Sequence, residues 1–165
     1  MALQHSYQIS LADIAVNKRK CKNKFFEQID SIIDWSEISH SLTEFYPKGY
    51  SQSGRKAYPP LLLFKMMLLQ TWYGLSDYQV EEEVNDRITF SKFCGLSIDN
   101  DVPDHSVLSR FRTVLTEKNA LDQLFEMVNK QLARRNILIL EGSAAVDASI
   151  TSATRVNRKV KKLMI

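Results

Sequence analysis

The sequence predicts a mainly α protein: a helical bundle with helix-turn-helix-like elements, followed by a short β segment. Three observations point there. Apolar residues recur at helical spacing from about residue 25 to 135. Helix start and stop signals punctuate that stretch. The character then changes at "ILILEGSAAVDASIT", which is β-branched or small, with Gly142 and Ser143 as a break.

The elements follow in order. "FFEQIDSII" at 25–33 puts Phe25, Ile29, Ile32 and Ile33 on one helical face. Asp34 with Glu37 three residues on has the form of a capping box for a second short helix, which carries Ile38, Leu42 and Phe45 and stops before Pro47. Residues 1–46 thus form an N-terminal helical segment that also holds the basic run "NKRKCKNK" at 17–24. "PKGYSQSGRKAY" at 47–58 has no periodicity and is predicted to be an exposed linker, made basic by Lys48, Arg55 and Lys56.

The region 59–136 is the helical domain proper. Pro59 and Pro60 open a helix, since proline suits a first turn. Leu61 to Tyr73 is apolar almost all round, broken by Lys65 and Gln70. That pattern suits a central helix covered on every side. Gly74 ends it. Ser76 and Gln79 form a capping box for a helix to about Asn85, with Val80 and Val84 inward and Glu81, Glu82 and Glu83 toward solvent. A short helix at 89–94 ends at Gly95, and 97–106 is loop. Asp104 caps a helix over 105–115, whose buried face is Leu108, Phe111 and Leu115. The last long helix, 119–135, buries Leu121, Leu124, Phe125, Val128 and Leu132. Residues 137–165 contribute a strand or two, ending near Ala148, and the basic tail "RVNRKVKK" at 155–162.

Composition narrows the function classes. With 44% hydrophobic residues the chain can bury a core and is not disordered by composition. Net charge is +3 and pI about 8.8, a mildly basic balance that points weakly to nucleic acid. Cys21 and Cys94 lie far apart, and His5, His40 and His105 are scattered, so zinc spacing is absent. The apolar run at 59–74 is interrupted and falls short of the ~20 residues of a membrane span. The start "MALQHSYQIS" lacks a secretion-signal pattern. A soluble, cytoplasmic protein with no membrane partner is expected.

Two features could carry function. Opposite the apolar stripe of the 105–115 helix lie Ser106, Ser109, Arg110 and Thr113, with Arg112 off to the side. A cationic, hydrogen-bonding face without acids suits major-groove reading or phosphate contact, though periodicity alone fits the polar face of an ordinary surface helix better. Arg110 and Arg112 lie about 200° apart, so Arg110 suits base edges while Arg112 suits a phosphate or an acidic neighbour. Arg55 and Lys56 in the linker are a second DNA-binding candidate. The other feature is Asp147, a single carboxylate at a strand end, which by itself is better explained as a cap or turn former.

The segments "YPPLLLFKMMLLQTWYGLSD" at 58–77, "FSKFCGLS" at 90–97 and "VPDHSVLSRFR" at 102–112 resemble the N-terminal region of the insertion-sequence-five family of bacterial DDE transposases. "EGSAAVDASIT" at 141–151 resembles the family strand that bears the first catalytic aspartate. The resemblance covers about 25–151. It implies double-stranded DNA as partner, bound at the terminal inverted repeats of a mobile element through the helical region. It also implies an RNase H-like domain that cuts and joins DNA with an Asp, Asp, Glu triad and two divalent cations, usually Mg²⁺. Asp147 matches the first triad position, as catalytic residue and metal ligand. Beyond Thr151 the match fades, and the second Asp and the Glu are not found. The expectation is a truncated transposase fragment that binds DNA, is catalytically incompetent alone and needs no metal of its own. The alternatives are half of a split active site completed by a downstream fragment, or a self-associating helical module without DNA affinity.

Overall fold

The computed structural model describes residues 24–47, 57–135 and 137. They form seven helices and, among the described residues, no strand. These are α1 (Lys24–Ile32), α2 (Trp35–Phe45), α3 (Pro60–Tyr73), α4 (Asp77–Asp86), α5 (Ile88–Cys94), α6 (His105–Glu117) and α7 (Ala120–Ala133).

The helix ends obey the chemistry of the sequence. Pro60 is the first residue of α3, where its missing N–H costs nothing, and the Pro59 carbonyl accepts from both Leu62 and Leu63. The tripeptide Gly-Leu-Ser occurs at 74–76 and at 95–97, and each copy stops a helix. Gly74 (φ 65°) and Gly95 (φ 79°) turn left-handed, which lets Leu75 and Leu96 donate back to the Gln70 and Ser91 carbonyls. The turn 74–76 between α3 and α4 is short and holds a glycine. The capping box at Ser76 closes in both directions with Gln79. At Asp34 it does not: the carboxylate accepts from the Ser36 N–H, while Glu37 turns away to the side-chain amide of Gln131 on α7.

The central position of α3 holds. Leu62, Leu63, Phe64, Met66, Met67, Leu68, Leu69 and Trp72 are all buried, and α3 packs against α2, α4, α5 and α6. Its apolar surface is therefore covered within one chain. Tyr78 and Ile98 are the exposed large hydrophobics among the described residues.

Residues 24–47 share this core. Phe26 of α1 stacks on Phe93 of α5 at 4.7 Å and meets Phe90 edge-on at 5.6 Å, and Phe25 sets its edge against Trp72 at 5.7 Å. Gln131, almost fully buried, accepts from the Asp34 N–H at 2.6 Å and so ties the α1–α2 corner to α7. Phe125 and Leu121 pack on the core but remain half-exposed, on the flank of the α7 stripe.

Even the lysine of α3 is used. Lys65 lies over the Trp35 ring at 4.2 Å and the Phe93 ring at 4.7 Å, and it pairs with Asp30 at 3.2 Å. Its four-carbon stem covers apolar surface while the ammonium finds an acid and two aromatic faces. Burial pushes the Cys94 thiol up to about 12, which makes it an unreactive core residue.

Of the β segment assigned to 137–151, only Ile137 is described, and it is not in a strand. Its N–H donates to the Leu132 carbonyl at 3.1 Å and its side chain packs on the core, so it closes the end of α7. The rest of that segment lies outside the described residues. No helix among the described residues is long and apolar enough to cross a membrane.

Candidate nucleic-acid interface

The amphipathic pattern of α6 fixes which side faces out. Leu108, Phe111 and Leu115 are fully buried, with Tyr46 edge-on to Phe111 at 5.0 Å. That leaves Ser106, Ser109, Arg110 and Thr113 exposed together on the opposite side, as the sequence predicts.

The chemistry of this face is more constrained than its composition suggests. The Asp104 carboxylate caps α6 by accepting from the Val107 N–H at 2.9 Å, and it also accepts from the Ser106 hydroxyl at 2.5 Å. The Ser106 hydrogen bond, followed by that from Val107, holds the Asp104 carboxyl below the usual carboxylate range. Arg110 donates to the Ser106 oxygen at 3.3 Å, so aspartate, serine and arginine form a chain along the first turn. The Thr113 hydroxyl donates to the Ser109 carbonyl at 3.0 Å. The helix also runs two residues beyond 115, to Glu117, four residues after Thr113 on the same face. The acid-free stretch is thus 106–113, with Asp104 at one end and Glu117 at the other.

Arg112 stands elsewhere, as its 200° offset requires. Its guanidinium meets Asp77 in a two-pronged ion pair, at 3.1 Å to Oδ2 and 2.5 Å to Oδ1, and donates to Gln70 Oε1 at 2.7 Å. Gln70 in turn donates to Asp77 Oδ1 at 2.6 Å. Of the two partners the sequence left open for Arg112, the structure supplies the acidic neighbour. The Arg112 hydrogen bond, opposed by desolvation and helped by Gln70, holds the Asp77 carboxyl below its usual range.

A second tie lies at the start of α6. Glu81 Oε2 accepts from the His105 N–H at 2.7 Å and sits 2.8 Å from His105 Nδ1, while the Tyr78 ring stacks on the imidazole. Glu81 is therefore not simply solvent-facing, as the run of three glutamates suggests. It is half-buried and caps a helix far along the chain. Asp77, Gln70 and Glu81 are the residues that sequence reasoning missed. One signal existed: a glutamine inside an apolar helix needs a hydrogen-bonding partner when buried.

Arg55, Lys56 and Asp147 lie outside the described residues, as do the basic runs at 18–23 and 155–162. Among the described residues, no group of three or more His, Cys, Asp or Glu side chains could hold a metal ion.

The described residues thus form a small helical bundle with an exposed helix face centred on Arg110. A family model described as Transposase domain (DUF772) matches residues 14–114. That is more than half of the 165-residue chain, and the chain belongs to this transposase-domain family. The matched stretch includes Ser106, Ser109, Arg110, Arg112 and Thr113, along with Gln70, Asp77 and Glu81. No solved structure matches the chain.

Proposed function

We propose that the described domain binds double-stranded DNA at the ends of a mobile element, with α6 as the reading helix. The observation that carries this is the exposed, acid-free stretch of α6 from Ser106 to Thr113, centred on Arg110, inside the region matched to the transposase domain. An arginine beside hydroxyl groups can make paired hydrogen bonds to guanine and adaptable ones to its neighbours. The burial of Leu108, Phe111 and Leu115 gives that face a firm base.

The finer placement, among the insertion-sequence-five DDE transposases, rests on the motifs at 58–77, 90–97 and 102–112. On the same footing Asp147 is proposed as the first carboxylate of an RNase H-like centre. The DNA-binding reading of α6 rests on its exposed face and invokes no metal.

The test is a fluorescence titration of two duplexes, one carrying the terminal repeat of the encoding element and one scrambled, at several salt concentrations. Tighter binding to the repeat is expected, with affinity for both falling as salt rises by a log–log slope of about 0.9 per phosphate contacted. Equal affinity for the two duplexes, or none for either, refutes the proposal.

A further inference from the structure

The way α6 is held to α4 suggests a division of labour between its two arginines. Apolar packing of Leu108, Phe111 and Leu115 keeps α6 against the bundle, but such contacts are non-directional. They resist pulling the helix away more than they resist rolling it. Rolling by one residue turns a helix by about 100°, enough to carry Arg110 off any DNA edge it faces. Reading base edges demands much tighter control than that.

The control comes from α4. Asp77 and Glu81 lie one turn apart on α4, and each grips α6: Asp77 through Arg112, Glu81 through the backbone and ring of His105. His105 and Arg112 lie two turns apart on α6, so the helix is held at two points along one line. Gln70 of α3, only 9% exposed, bonds both Arg112 and Asp77 and fixes the first of these grips to the central helix. A two-pronged arginine–carboxylate pair is directional in a way that a lysine or an apolar contact is not.

We infer that Arg112, Asp77 and Gln70 are positioning residues, which set the rotation of α6 and thereby its DNA sequence discrimination without touching DNA. The inference rests on the DNA-binding reading and goes beyond it. The guanidinium is already engaged by a carboxylate and an amide. To reach a phosphate it would have to leave Asp77 unpaired beside that phosphate, where like charges repel.

The test uses the full chain with Asp77→Asn, Arg112→Lys, Arg112→Met and the double variant Asp77→Asn/Arg112→Met. Each is titrated on the repeat and scrambled duplexes across salt, at a temperature where circular dichroism shows it folded. For a positioning role, Asp77→Asn and both Arg112 variants each lower the preference for the repeat by roughly 3- to 10-fold. The double variant then loses no more than a single one, as expected for partners in one network. Arg112→Lys behaves like Arg112→Met, because it keeps the charge and loses the fork. The salt slope is unchanged in all four.

A phosphate contact gives the opposite pattern and overturns the inference. Arg112→Met then weakens both duplexes alike and reduces the salt slope by about 1. Arg112→Lys largely rescues it, and Asp77→Asn tightens binding by freeing the arginine. If Arg112→Met does not fold, Asp77→Asn decides alone, since it removes charge and keeps shape. A parent chain that does not discriminate the duplexes defeats the DNA reading itself. A parent that discriminates, with variants that discriminate equally, defeats only the positioning role.

Discussion

Replacing Phe111 by Ala tests whether α6 is seated as described. The ring is fully buried, on the apolar stripe of α6 and about 100° round the helix from Arg110. Its removal takes away the transfer free energy of a benzyl group and leaves a cavity that the neighbouring helices fill only in part. The expected loss is about 3–5 kcal/mol. Of this, the edge-on contact with Tyr46, at 5.0 Å and 83°, accounts for roughly 0.5–1.5 kcal/mol. Tyr46→Leu, which keeps apolar bulk and loses only the ring pair, should cost no more than about that share. Urea denaturation followed by circular dichroism reads both. With a slope of about 2 kcal/mol per M, Phe111→Ala should lower the midpoint by about 2 M. A loss below about 1 kcal/mol at unchanged slope would mean that the ring is not in the core, and that α6 presents a different face outward.

Two further outcomes follow from the polar contacts. Gln131→Leu keeps the volume but leaves the Asp34 N–H and the Glu37 carboxylate without their partner on α7. It should cost about 1–3 kcal/mol in the same urea assay, and an unchanged midpoint would contradict the tie between α7 and the α1–α2 corner. Acidification probes the depressed carboxyls. Asp77 is held low by Arg112, Asp104 by Ser106 and Asp34 by Ser36. A lowered folded value means that the stabilisation is complete above the unfolded value of about 3.9 and is lost as pH falls through the folded one. Stability should therefore fall on going from pH 5 toward the strongly acid range, and Asp77→Asn should flatten that dependence. Stability that rises on acidification would contradict the assignment.

Local signals made most of the helices legible. The paired prolines at 59–60, the two Gly-Leu-Ser stops and the caps at Ser76 and Asp104 all act within a few residues, and all are used as the sequence suggests. What periodicity could not show is contact between distant segments. Nothing in "FFEQIDSII" tells that Phe26 will stack on Phe93, so the sharing of one core by 24–47 and 57–135 is a property of the fold. The Glu37 side chain has the right spacing for a local cap, yet Gln131 competes for it from α7 and wins.

The candidate site divides in the same way. Exposure of Ser106, Ser109, Arg110 and Thr113 follows from a clear apolar stripe. The separation of Arg112 from Arg110 follows from helix geometry. The acid-free stretch is bounded at 106–113 for two physical reasons. The helix continues to Glu117, since nothing at Thr116 stops it, and the capping Asp104 folds back onto Ser106. The roles of Asp77 and Glu81 were hidden because an acid in a first turn and an acid in a glutamate run already have local explanations, with the helix dipole and with solvent.

One titration decides whether α6 reads DNA through Arg110. The parent chain and Arg110→Ala are compared on the terminal-repeat and scrambled duplexes at two salt concentrations. Arg110 is exposed and bonds only Ser106 in the described structure, so its removal should leave the fold intact. Arg110→Ala is expected to weaken binding to the repeat by roughly 1–3 kcal/mol while sparing the scrambled duplex. An Arg110→Ala chain that binds both duplexes as the parent does would contradict it and move the search to the linker around Arg55 and Lys56.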